Sequence, residues 1–87
     1  MPYITGERRK AILGEGGAYI DIREVESVGE LNFAITMLCK NFLENDCRAY
    51  RSFNKIIGVL ECVKQEFYRK AVVPYEEEKE QENGSVY

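Results

Sequence analysis

Glu61, Cys62, Lys64, Tyr68, Arg69 and Lys70 put an acid, a thiol, three cations and a phenol into one short stretch of the chain. Such a set does chemistry only where its members converge. At 100° per residue they disperse: Lys64 lies about 40° from Leu60 on the apolar side, Glu61 and Tyr68 flank that side, and Cys62 and Arg69 point away from it. The chain also contains no histidine. That removes the commonest general base, the usual zinc ligand and any Ser-His or Cys-His nucleophile pair. Cys62, without an adjacent base, reads as a small packing residue. No catalytic residue is expected, and the chain reads as a non-enzyme.

What remains to cations and phenols is binding. Arginine offers a planar fork for carboxylate or phosphate, and tyrosine offers a stacking face with a hydroxyl. Arg8, Arg9, Lys64, Tyr68, Arg69, Lys70 and Tyr75 are therefore the candidate set for a ligand or partner. They suit an anionic small molecule such as a nucleotide, or the acidic segment of a neighbouring chain. Lys64 also has a plain reading, its stem packed on the apolar side and its ammonium paired with Glu61 three residues back. "GEGG" at 14–17 is followed by no GK[ST] and reads as a flexible loop rather than a phosphate cradle. The glutamates of the last fourteen residues lack calcium-loop spacing, so neither metal nor cofactor is expected.

These residues need elements to carry them. Thr5 can cap a short first helix through "GERRKAIL", closed by Gly14. Residues 14–28 read as a loop. Ser27 and Glu30 form the S-x-x-E capping box of a second helix over 29–43, with Leu31, Ala34, Ile35, Leu38, Cys39 and Phe42 as its buried stripe. Asp46 can cap a third helix over 46–73, whose core stripe is Phe53, Ile56, Ile57, Leu60, Val63, Phe67 and Ala71. Pro74 should end or kink it, because proline has no N–H and disfavours helical geometry before it. Residues 74–87 then form an acidic segment, either a short helix closed at Asn83-Gly84 or a solvated tail. Gly58 and Cys62, small and four apart on the far side of the third helix, are the candidate packing surface for a second copy.

Eighty-seven residues make one domain, 1–87, with a core small enough that self-association would add useful burial. The net charge of −3 conceals a nearly neutral body and an acidic tail. With no dominant basic surface, nucleic-acid binding is not favoured and ranks third among the readings. The three cysteines match neither a CxxC pair nor a disulfide framework, and no segment approaches the ~20 apolar residues of a membrane span. The chain reads as soluble and cytoplasmic.

"MPYI" before a basic cluster, "GELNFAIT", "IGVLECVKQEFYRK" and "PYEEEKEQENGSVY" resemble a family of short uncharacterised proteins of bacteria and phages. Its members run approximately MPYI, GDLNYAIT, GVLECVKLEFYRR and PYEDxKxxENGDVY. The likeness covers the first four residues and most of 29–87. This chain departs from the pattern at Glu30, Phe33, Gln65, Glu77 and Ser85. The resemblance implies no activity, cofactor or catalytic residue. It does imply that 74–87 belongs to the protein proper, and it admits an accessory, phage-related role.

The expectation is an all-α fold: an antiparallel helical hairpin of 29–43 and 46–73, a short N-terminal helix against it, and the acidic segment. The leading function is a helical interaction protein acting through an oligomeric surface, most simply a homodimer, or through a protein partner. A binder or sponge for an anionic molecule such as a nucleotide is the alternative.

Overall fold

A computed structural model describes residues 3–17 and 19–87. The fold is all-α, with no strand among the described residues. The chain divides into two compact units, Met1–Arg48 and Ala49–Tyr87.

In the first unit, α1 spans Gly6–Leu13 and starts as its sequence requires: Thr5 is extended, and its hydroxyl accepts from the Arg8 N–H at 3.2 Å. Gly14 closes the helix at φ 70°, where a Cβ would also stand only 3.0 Å from the Tyr19 ring. The loop expected after it contains two single-turn pieces, Glu15–Gly17 and Ile22–Glu24. It is tied to α1 by the Asp21 N–H, which donates to the Ile12 carbonyl at 2.6 Å. Helix α2 spans Val28–Asn45, with the Ser27 hydroxyl accepting from the Glu30 N–H at 3.1 Å. The core is small: Ile12, Phe33 and Ala34 are buried, with Ile4, Leu13, Ile20, Val25 and Met37 packed around them.

That core corrects the stripe expected for α2. The side carrying Glu30, Phe33, Ala34 and Met37 faces inward, because an ion pair between Arg8 and Glu30 and the Arg9 guanidinium over the Phe33 ring anchor α1 there. Leu31, Ile35, Leu38 and Phe42 are left exposed on the neighbouring side. Asp46 does not open the next helix either. Its N–H donates to the Phe42 carbonyl at 2.9 Å and closes α2, and Arg48 then takes a positive φ of 47°.

The second unit is one helical rod with a defect. Helix α3 spans Tyr50–Phe67, and Ala49 stands at its start, its N–H donating to the Ser52 hydroxyl at 3.4 Å. A widened π-turn over Tyr68–Val72 follows, and α4 spans Val73–Asn83 before Gly84 closes it, its N–H donating to the Glu80 carbonyl at 2.8 Å. Pro74 therefore does not end the helix. Its ring would press on the carbonyl four residues back, and the π-turn relieves that by moving one register: the Val73 N–H donates to the Tyr68 carbonyl, five back.

Candidate interaction surface

Along α3 the positions Phe53, Ile57, Leu60, Lys64 and Phe67 recur at alternating intervals of four and three. This is the a/d spacing of a seam that packs against another helix. Val63 and Ile56 broaden it on one flank. No element of the second unit folds back over this seam, since α3, the π-turn and α4 follow one another as a rod. Phe53, Ile57, Leu60, Val63 and Phe67 are accordingly between 36% and 66% exposed. At about 150–200 Å² per large side chain, the open stripe amounts to roughly 500 Å² of apolar surface. That is the size of the largest apolar patch on a typical monomer, a patch that is often functional.

The residues singled out for binding are placed as follows. Arg8 is consumed within the first unit: its Nε donates to Glu30 Oε2 at 2.8 Å, and its Nη2 donates to the Glu24 carbonyl at 2.6 Å and to Glu30 Oε1 at 3.2 Å. Glu30 Oε1 also accepts from the Glu26 N–H at 2.9 Å, and the Arg8 guanidinium, above all, holds the Glu30 carboxyl below the usual glutamate range. Arg9 donates from Nε to the Ile4 carbonyl at 3.0 Å and lies 5.7 Å from the centre of the Phe33 ring. Both arginines thus staple α1 into its unit.

In the second unit, Lys64 Nζ pairs with Glu61 Oε2 at 3.1 Å. The Gln65 amide and this ammonium lower the Glu61 pKa. Arg69 pairs with Glu66, one turn before it on the rod. Lys70 is exposed beside an open groove that runs from Val63 and Phe67 on the stripe's flank, past Val59, to Gly58 and Cys62 on the far side. Tyr68 and Tyr75 share a shallow hollow with Glu76, Glu77, Glu80 and a single cation, Lys79, whose Nζ lies 5.6 Å from the Tyr75 ring centre. That lining is acidic and complements a cation better than an anion.

Gly58 and Cys62 sit on the opposite side of α3. Nothing lies within 4 Å of a Cβ built on Gly58, and Cys62 is exposed. No backbone of the described residues approaches there. The stripe of α3, read as core, is the largest apolar surface of the second unit, and Lys64 stands within its a/d series. Among the described residues no three His, Cys, Asp or Glu side chains cluster as a metal would require, and no helix is long and apolar enough to cross a membrane.

The chain matches the family model described as "Domain of unknown function (DUF6899)" over residues 1–86, and it belongs to that family. No curated protein and no solved structure matches it.

Proposed function

We propose that this member of the DUF6899 family is a non-enzymatic helical interaction protein whose working surface is the apolar stripe of α3. One observation carries the reading: Phe53, Ile57, Leu60, Val63 and Phe67 form a continuous seam on a rod that nothing in its own unit covers. The hydrophobic effect favours removal of such a seam from water, and its a/d spacing suits a helix as the covering element. The reading of a binder for an anionic small molecule draws less support, since Arg8, Arg9, Lys64 and Arg69 all have partners within the chain.

Thiol labelling tests this directly. Cys62 looks away from the stripe, while Val63 lies on its flank, and Val63→Cys is close to isosteric. With the other cysteines replaced by serine, a thiol at 63 should label at least ~10-fold more slowly than one at 62, because covered positions react only when the contact opens. The comparison is made on purified protein and in cells of the native host. Equal labelling at 62 and 63 in both settings would refute the proposal.

A further inference from the structure

The α3 stripe is one of two open seams in this chain. On α2, Val28, Leu31, Ile35, Leu38 and Phe42 recur at intervals of three and four, and all five are between 39% and 82% exposed. They lie on the side next to the one that faces the core of the first unit. On α3, from Phe53 to Phe67, the intervals run four, three, four, three; on α2, from Val28 to Phe42, they run three, four, three, four. Read backwards, α2 therefore matches α3 read forwards at every step. Two such helices running in opposite directions bring all five positions of each seam into register.

We propose that the α3 stripe is covered by the α2 stripe of a second copy, antiparallel to it, and that the exchange is mutual about a two-fold axis. The inference rests on the proposed use of the α3 stripe and adds the identity and direction of its partner. Phe42 meets Phe53 at one end, Ile35 meets Leu60 at the centre and Val28 meets Phe67 at the other end. The one mixed layer sets Lys64 on Leu31, where the lysine stem covers the leucine and the ammonium stays at the seam's edge with Glu61, 3.1 Å away. A parallel pair must shift by one position. It then sets Phe67 against Asn45 and leaves Val28 outside the matched series.

Area favours α2 over α3 as the element that the second copy supplies. At about 150–200 Å² per large side chain, the α2 seam leaves roughly 450 Å² of apolar surface open, against roughly 500 Å² for α3. Pairing α3 with α3 would bury only the latter, short of the ~800 Å² per partner of a standard stable interface. Mutual exchange buries both, up to roughly 950 Å² per copy, and leaves neither seam in water. It also closes the assembly at two copies, since each supplies one α2 and one α3.

The test uses the full chain with its native cysteines replaced by serine. Sedimentation equilibrium should return a dimer. Two singly substituted chains, Leu38→Cys and Ile57→Cys, are then mixed and oxidised, so that only bridges between copies form. Both positions are more than half exposed in the single chain, so circular dichroism should show the helices intact. The 38–57 bridge should outnumber the 38–38 and 57–57 bridges several-fold, because a disulfide needs Cα atoms within ~7 Å of each other. An excess of 57–57 bridges would set α3 on α3 and overturn the inference. Leu31→Cys mixed with Phe53→Cys should not bridge, since their layers stand ~16 Å apart at 1.5 Å per residue. A bridge there would mark a parallel pair and overturn the inference as well. So would a monomer at every accessible concentration, including one in which a chain carrying both Leu38→Cys and Ile57→Cys bridges within itself. Protection of position 63 in such a monomer would overturn only the second copy as occupant and leave the stripe as the working surface, whereas equal labelling at 62 and 63 would remove the working surface itself.

Discussion

Ile57→Ala separates the stability of the rod from the strength of the association. Ile57 is 66% exposed in the single chain. Truncation to alanine removes roughly 75 Å² of the apolar surface that pairing would bury in each copy, hence ~150 Å² per dimer, worth ~4 kcal/mol at about 25 cal/mol per Å². At 1.4 kcal/mol per tenfold, the dissociation constant should rise by up to roughly 10³. The same substitution should favour the helix of the monomer by a few tenths of a kcal/mol, because alanine loses no side-chain freedom there. The expected signature is opposed in direction: sedimentation equilibrium shows dissociation, while circular dichroism at dilution below the dimer range shows helicity unchanged or raised. A Kd within about tenfold of the parent value would show that Ile57 is not buried by association, and the seam argument would fail with it. Loss of helicity in the dilute monomer would instead show that Ile57 supports the rod from within, which its exposure excludes.

Three further outcomes follow from the packing. The Glu30 carboxyl is held below its ordinary pKa, chiefly by Arg8, so its contribution is fully present above the ordinary glutamate value and is lost as pH falls through the lowered one. Melting temperatures from pH 7 down to 3 should therefore drop less steeply below pH ~4 in Glu30→Gln than in the parent, and parallel curves would contradict the assignment. Pro74→Ala should let the π-turn at Tyr68–Val72 return to an α-helical register, seen as a Val73 amide bonded four rather than five residues back in NMR couplings, with a gain of up to ~3 kcal/mol in local helix stability. Gly58→Ala should raise helicity by up to ~1 kcal/mol without changing the dimer Kd, because nothing lies within 4 Å of the new Cβ and it faces away from the seam; dissociation would place the interface on the Gly58–Cys62 side instead.

Local signals were legible in the sequence wherever one side chain decides the outcome. Thr5 and Ser27 cap as their types require, Gly14 and Gly84 close their helices, and the Lys64–Glu61 pair forms at its expected spacing. What periodicity could not supply was the side of α2 that faces inward. Its apolar residues cover two adjacent sides, and a long-range pair, Arg8 with Glu30, twenty-two positions apart, selects between them. The start of α3 was misplaced for a related reason: Asp46 favours capping a new helix, but the left-handed backbone at Arg48 delays that helix to Tyr50. Pro74 was read as ending or kinking the helix because its local cost is real. A π-turn absorbs it at the expense of one widened turn, an arrangement that no single-residue propensity registers.

The same limit applies to the stripe of α3, read as a core face and covered by nothing within its own unit. A seam for another helix and a face for one's own core have the same spacing and the same residue types, so apolar periodicity alone does not distinguish them. One feature of this rod does. Lys64 occupies a central seam position, where an interior would demand burial of its ammonium, whereas a pair of rods lets it reach water and Glu61 at the seam's edge.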